Sequence, residues 1–420
     1  MIIDHIINPK LVPYIDDLHT DYSGKIIKSP CTYTLVAEHS EYVQKNDVIY
    51  YEIGFEAKHL STPLIRLLSN EQIHSIKDKK VLLMVDLSLE TRSDQIAEVY
   101  NNLVIKEQLP PSQIVIISHT LDYVERINDY AKLNNTQPIG YEYFPYWVRL
   151  QQITYKNDCT RYNIPVEHNN SGLYRETNKK FLFLNNNWKE HRVALLCLLN
   201  EYDLLKDSFT SFTSKPQREG LYDNLVKNKQ PIPDWLLAEQ NNTIEQNWSV
   251  WLEYATQMFP KLINSIVRGS SSIILPFTLD LKEFPLSIAY TSQTSLIKFY
   301  KNTYFSVVTA ARYHGYNENH VDEKPFKPIT YKHPFVYCGQ PYSLRHLRQM
   351  GYRTFDGIID ESYDTELDPN KRMLMVADEI KRLSNLNEIE LIKFKQECIP
   401  IVEYNFNRFI NEKSFIQKVL

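Results

Sequence analysis

Glycine is scarce, 10 residues in 420, and no G-x-G-x-x-G occurs. That absence excludes the tight phosphate loop of dinucleotide-binding oxidoreductases and epimerases. The five cysteines, Cys31, Cys159, Cys197, Cys338 and Cys398, are scattered and form no C-x-x-C pair. A zinc ribbon is therefore excluded, and free thiols in a reducing compartment are expected. No Asp-x-Asp is present, so the short motif that commonly grips a metal–diphosphate pair is missing. No uncharged apolar run reaches the roughly 18 residues a membrane span needs, so no span is expected. The opening MIIDHIINPKLVPYIDD lacks a basic start followed by an apolar core, so no secretory signal is expected and the location expected is cytoplasmic, or the host cytoplasm for a viral chain. Basic residues do not predominate either: 47 Lys and Arg stand against 51 Asp and Glu, for a net charge of -4. A wholesale electrostatic footprint for duplex nucleic acid is thus absent from the average.

What remains is an ordinary globular composition, 43% hydrophobic and 23% charged, with 29 tyrosines. The length suits two or three domains with their own cores. Short β-rich runs alternate with helical stretches. Strands are expected at Val48–Tyr51, Val81–Val85, Ile114–Ser118, from Phe181, at Phe305–Thr309, at Phe335–Cys338 and at Gly357–Ile359. Helices are expected at Pro63–Asn70, Ser93–Glu107, Leu121–Leu133, Lys189–Tyr202, Pro341–Met350, Pro369–Leu383 and over the last forty residues. Continuous apolar strands flanked by helices predict parallel sheets covered on both faces. The polar stretch Tyr155–Lys180, with Asn169-Asn-Ser-Gly172, reads as a linker. The expected organisation is an α/β domain over 1–175, a second over 176–400 carrying a helical insertion near 207–270, and a helical tail over 401–420. Ligands of such sheets bind at the carboxyl ends of the strands.

The densest chemistry lies between Val321 and Gly339. Glu323, Lys324 and Lys327 place one carboxylate and two ammonium groups within five residues, Phe326 and Ile329 are spaced as on a short helix, and His333-Pro334 ends it. A carboxylate suits a ribose diol, and ammonium groups with a helix start suit a diphosphate. A solvated charged turn is the plainer alternative.

The run Glu323-Lys-Pro-Phe-Lys-Pro-Ile329, then Pro334-Phe-Val and Gly339, resembles the donor-site signature of GT-B glycosyltransferases. It is similar in particular to the Glu-Lys-aromatic-basic motif of the α-1,3-fucosyltransferases, and to a group of phage and bacterial glycosyltransferase-like proteins. Phe305–Arg312, Ser343–Phe355, Ile358–Asp364 and Phe181–Arg192 extend the likeness, which is weak over the N-terminal half. Pro328 departs from the fucosyltransferase pattern, which usually has Asn there, so a GDP-fucose donor does not carry over. The resemblance implies a GT-B fold, two Rossmann-like domains facing a central cleft, and a nucleotide-sugar as co-substrate with no further cofactor. On this basis Glu323 would hold the ribose, and Lys324 and Lys327 the diphosphate. Arg192, Arg312 and Asn185 would complete the donor site, although a surface helix start is an equally plain reading of Arg192.

Sugar transfer requires that the departing diphosphate be stabilised and, for inverting enzymes, that a base take the acceptor proton. Without Asp-x-Asp, a metal-independent route through basic side chains is expected. The base is sought in the first domain: Asp86 just past the strand Val81–Val85, Glu90 four residues on, or His119 at the end of Ile114–Ser118. Helix caps or loop groups are the alternatives at each. Glu38, His39 and Glu52 are weaker candidates, and Tyr141–Trp147 could stack on a ring or fill the core. The acceptor expected is a glycan or another hydroxyl compound, transferring a hexosyl or pentosyl group. Hydroxymethylated DNA, as for phage DNA glycosyltransferases, is a second acceptor class, and a non-catalytic nucleotide-sugar-binding protein a third reading.

Overall fold

The computed structural model describes residues 1–7, 40–52, 63–87, 95–149, 151–152, 155, 179–185, 188–212, 244–273, 297–315 and 321–411. The chain divides into two compact units. One comprises Met1–Leu150 with 317–320 and 412–420; the other comprises 151–316 and 321–411.

The first unit holds five parallel strands in consecutive order: β1 (Ile2–Ile7), β2 (Asp47–Glu52), β3 (Val81–Asp86), β4 (Ile114–Ser118) and β5 (Gly140–Tyr143). The runs VLLMVD and IVIIS are buried along their whole length, as central strands covered on both faces must be. Between the strands lie α1 (Glu41–Lys45), α2 (Asn70–Lys77), α3 (Gln95–Val99) with a π-helical continuation to Lys106, and α4 (Tyr123–Leu133). Ile49, Tyr51, Leu83, Val85, Ile116, Ile96, Val99 and Ile127 belong to one apolar core that joins the sheet to its helices.

The second unit has four parallel strands: β6 (Phe181–Asn185), β7 (Ser208–Phe212), β8 (Phe305–Thr309) and β9 (Phe335–Cys338). Their order is β7-β6-β8-β9. The chain starts at β6, winds outward to β7, and returns to the other side of β6 to form β8. The winding reverses between β6 and β8, so the connections leaving their carboxyl ends run in opposite directions, which is the topological position where open α/β sheets bind ligands.

The helices of this unit are α5 (Glu190–Glu201), α6 (Ile244–Met258), α7 (Ile263–Ser270), α8 (Ile297–Lys301), α9 (Phe326–Thr330), α10 (Ser343–Gln349), α11 (Pro369–Ser384) and α12 (Glu388–Asn411). Helix α5 is buried from His191 through Leu199 and packs against α6, α7 and α11. An all-round apolar helix of this kind must be enclosed. Helix α7 comes so close that a Cβ on Gly269 would lie 1.9 Å from the Cys197 carbonyl oxygen. Helix α11 begins at Pro369 behind an Asp368 cap that accepts from the Asn370 and Lys371 amides. Helix α12 buttresses α9: Phe409 stacks on Phe326 at 6.4 Å and Glu403 pairs with Lys332 at 2.8 Å.

Two parallel-sheet α/β units are what the sequence leads one to expect. Several local expectations change. Pro63–Asn70 holds only a single 3₁₀ turn at Leu64–Arg66; the helix starts at Asn70, behind a capping box of Ser69 and Gln72. Gly357–Ile359 is no strand: only an isolated bridge links Asp356 and Ile359, and Gly357 has a positive φ of 83°. Within 207–270, Ser208–Phe212 is the edge strand β7, and α6 and α7 pack on α5 within the same compact unit. The polar side chains of SFTSF hide that strand because an edge strand carries little apolar patterning. Helix α12 runs unbroken through position 401. The segment 156–178, read as the linker, lies outside the described residues, as do Cys31, Cys159, Glu38 and His39. Cys197, Cys338 and Cys398 are buried free thiols.

Candidate functional site

The site is built at the carboxyl ends of β6 and β8. Asn185 ends β6 and Thr309 ends β8; the Thr309 hydroxyl donates to Asn185 Oδ1 at 2.5 Å. That bond fixes which end of the amide is which. It turns Nδ2 away, and this buried donor group has no hydrogen-bond partner among the described residues. Other buried side chains also carry such atoms, so it is the place of Asn185 at the strand end that makes it a ligand candidate.

The next two residues form a hub. The Ala310 carbonyl oxygen accepts from His191 Nε2 at 3.0 Å and from Arg192 Nη2 at 3.1 Å. The Ala311 carbonyl oxygen accepts from Lys189 Nζ at 2.7 Å. Three basic residues in the opening turn of α5 thus clamp the exit of β8. His191 works there as a neutral donor: burial pushes its proton affinity down to about 4, and its ring stacks on Tyr313 at 5.5 Å.

From the other side, the Ala311 amide donates to Asp322 Oδ2. Asp322 Oδ1 accepts from the Lys324 amide at 3.0 Å, and Oδ2 lies 3.2 Å from Lys324 Nζ. Glu323 Oε1 takes the same ammonium at 2.7 Å. The side chain of Asp322 is 1% exposed, that of Glu323 11% and that of Lys324 23%, so Lys324 is the member of this trio that reaches solvent most. Lys327 is half-buried on α9 and lies within the electrostatic reach of Glu323, Lys324, Asp322 and Arg192. Burial lowers the proton affinity of Lys327, and the nearby carboxylates do not fully offset it. At Lys324 burial also acts downward, but Asp322 and Glu323 outweigh it and the net direction is upward. At Arg192 burial prevails over Asp322, Glu323 and Glu190.

The structure therefore brings Asn185, Arg192, Glu323, Lys324 and Lys327 to one end of one sheet. Arg312, half-buried, follows the hub directly. The expected helix start differs in detail: α9 begins only at Phe326, behind Pro325, so Glu323 and Lys324 occupy the turn that leads into it. A five-residue helix has little dipole to offer, and the positive charge comes from side chains. Two contributors go unnoticed in the sequence. Asp322 has a signal there, an acidic residue two positions before Lys324 where it can close a turn on that amide. Arg372 has none: it reaches from α11 to the carbonyl oxygens of Gly339 at 3.2 Å and Tyr313 at 2.7 Å, holding the ends of β9 and the β8 loop together. Gly339 is required at that junction, since a Cβ there would sit 2.6 Å from Tyr337 Cε1.

The remaining candidates lie in the first unit. Asp86 ends β3, is buried, and accepts from the Tyr50 hydroxyl at 2.6 Å. His119 follows β4, the neighbouring strand, and meets Trp147 edge-on at 6.5 Å. Both thus stand at the carboxyl end of neighbouring strands in one parallel sheet. Glu90 lies outside the described residues. Trp147 and Tyr146 are buried and pack on one another at 5.0 Å, and the Tyr141 hydroxyl is spent on the Thr120 carbonyl. Glu142 on β5 is pushed up to about 7 by burial, but its carboxylate is engaged by the Ser40 hydroxyl at 2.6 Å. In the second unit, a separate open groove of about 640 Å³ is lined by Arg348, Glu361, Asp364 and Arg382 among others, and none of the predicted site residues borders it. Among the described residues, no cluster of metal-ligating side chains occurs and no helix is long and apolar enough to cross a membrane.

No family model matches the chain, and no curated protein does. Among solved structures, it is similar to an α,α-trehalose 6-phosphate synthase from Burkholderia multivorans, with a TM-score of 0.42 and 11% identity over 87% of this chain and 69% of that one. It is also similar to an E. coli trehalose-6-phosphate structure bound with UDP-2-fluoro glucose, with a TM-score of 0.37 and 14% identity over 87% and 71%. The N-terminal domain of a Candida albicans trehalose-6-phosphate phosphatase gives a TM-score of 0.37 and 9% identity over 87% and 68%.

Proposed function

We propose that this chain is a glycosyltransferase of GT-B type that moves a sugar from a nucleotide-sugar donor to a hydroxyl acceptor. The observation that carries the reading is the convergence of Asn185 Nδ2, Arg192, Lys324 and Lys327 at the reversal point between β6 and β8. A diphosphate answers each of their needs. It supplies acceptor oxygens to the unmatched amide. It also supplies negative charge to Arg192 and Lys327, whose burial their carboxylate neighbours only partly offset, and a third partner to the Lys324 ammonium; charge-assisted bonds to phosphate are among the strong ones. The motif resemblance over Glu323–Gly339 agrees with this site.

The chemistry follows from the groups. The acceptor oxygen attacks the anomeric carbon while the bond from that carbon to the diphosphate oxygen breaks. Negative charge grows on the departing nucleoside diphosphate, where Arg192, Lys324 and Lys327 stabilise it more strongly than in the bound donor. Glu323 takes the ribose diol. The acceptor proton passes to a base, for which Asp86 and His119 are the proposed groups together with Glu90. Basic side chains supply the counter-charge in this scheme, which makes the proposed route metal-independent. A saccharide or other small hydroxyl compound is the proposed acceptor; nothing in the second unit's site calls for DNA.

A thermal-shift screen against UDP-, GDP-, dTDP- and CMP-linked sugars tests the reading. A matching donor at about a hundred times its dissociation constant stabilises the unit that binds it by about 2.7 kcal/mol. Lys324→Ala is expected to remove that stabilisation; because it also deprives the buried Asp322 and Glu323 carboxylates of a partner, its shift is read against its own lowered unliganded melting temperature. No shift with any of the four classes, or an equal shift in Lys324→Ala, would contradict it.

A further inference from the structure

Resting on that anion-site reading, we propose that Asp322 is a positioning residue: without touching the ligand, it aims the Lys324 ammonium at it. The carboxylate is enclosed on every side. One oxygen takes the Ala311 amide just past β8 and the Lys324 ammonium at 3.2 Å; the other takes the Lys324 amide at 3.0 Å. With a side-chain exposure of 1%, it has no surface left for a ligand. One side chain thereby ties three things together: the strand end at the reversal point, the backbone turn that carries Lys324, and the end of that lysine's side chain.

The physical need is clear. A lysine stem has four rotatable carbons and loses about 2 kcal/mol of rotamer entropy when fixed. Ordering it in advance means that the ligand does not bear this cost. Of the three ammonium N–H bonds, Asp322 and Glu323 hold two, and the third is oriented by default.

Simple charge counting predicts the opposite sign. Deleting a carboxylate beside Arg192 and Lys324 makes the site more positive and should tighten anion binding. The two accounts therefore differ in direction, and inorganic pyrophosphate is a sufficient probe. Calorimetric titration would compare the wild-type chain, Asp322→Asn, Lys324→Met and the double variant, with circular dichroism to confirm folding. The positioning account expects Asp322→Asn to weaken pyrophosphate by about tenfold. It also expects the double variant to bind within about twofold of Lys324→Met alone, because residues that act through one another are not additive. Asp322→Glu keeps the charge but displaces it, and is expected to lose affinity as well; it carries the test if the asparagine variant does not fold. Unchanged or tighter binding in Asp322→Asn, full affinity in Asp322→Glu, or an equal loss in the Lys324→Met background would each overturn the proposal. A wild-type chain that does not bind pyrophosphate would instead remove the anion site, and this inference with it.

Discussion

Arg192→Met is expected to weaken pyrophosphate and nucleotide-sugar binding by about a hundredfold while leaving the second unit folded. The size follows from what is lost, one or two charge-assisted hydrogen bonds to phosphate at about 1.5–3 kcal/mol each. The folded state tolerates the change for an identifiable reason. Arg192 Nη2 shares the Ala310 carbonyl with His191 Nε2, so that oxygen keeps a donor when the guanidinium is gone. Asp322 and Glu323 still face Lys324 and Lys327, so no carboxylate is stranded. Methionine fills most of the vacated volume. Arg192→Lys restores the charge but not the planar fork, and should recover only part of the affinity. Titration calorimetry reads all three proteins. Wild-type affinity in Arg192→Met would show that this arginine serves the fold of α5 and not a ligand.

Gly269→Ala is expected to destabilise the second unit by about 3 kcal/mol or more, a large effect for one methyl group. The added carbon would sit 1.9 Å from the Cys197 carbonyl oxygen and 2.6 Å from its carbonyl carbon. Both atoms belong to the backbone of a fully buried helix and cannot swing aside as a side chain would. Helix α7 must withdraw, and with it goes the bond from Asn200 Nδ2 to the Gly269 carbonyl at 2.7 Å. Because α5 also carries His191 and Arg192, donor binding should weaken along with the melting temperature. Urea unfolding followed by tryptophan fluorescence, with Trp188 and Trp248 in this unit, measures the change. A midpoint equal to wild type would mean that the two helices are farther apart than described.

The two sheets were legible where their strands are buried on both faces, in the central strands and in the covered edge strand β9. VLLMVD, IVIIS, FSVVT and FVYC cannot be mistaken for surface segments, and their bounds came out within a residue of those expected. Two other edge strands, β5 and β7, were not legible. GYEY starts at a glycine and is half-buried, and SFTSF has three hydroxyl residues among its five, so neither has the apolar run that marks a central strand. The same physics governs the site. Lys324 and Lys327 stand out in sequence because two ammonium groups beside a carboxylate are conspicuous. Asn185 and Arg192 were within reach because they follow a recognisable strand and open a recognisable helix. Asp322 and Arg372 act through backbone groups far away in the chain, on Ala311 and on Gly339 and Tyr313, and no local pattern announces such long-range bonds. Order of strands was equally hidden: the reversal between β6 and β8, which marks their ends as a candidate site, is a property of the whole sheet.

The most direct measurement of the central claim is amine footprinting with and without pyrophosphate, read lysine by lysine in a mass spectrometer. Both lysines are partly buried, so their labelling in the free protein sets the reference against which protection is read. Pyrophosphate is expected to protect both by about tenfold, the change that a dissociation constant well below the ligand concentration produces, while exposed lysines such as Lys45 and Lys80 stay unchanged. Protection confined to lysines elsewhere, with Lys324 and Lys327 labelling as before, would contradict an anion site at the ends of β6 and β8.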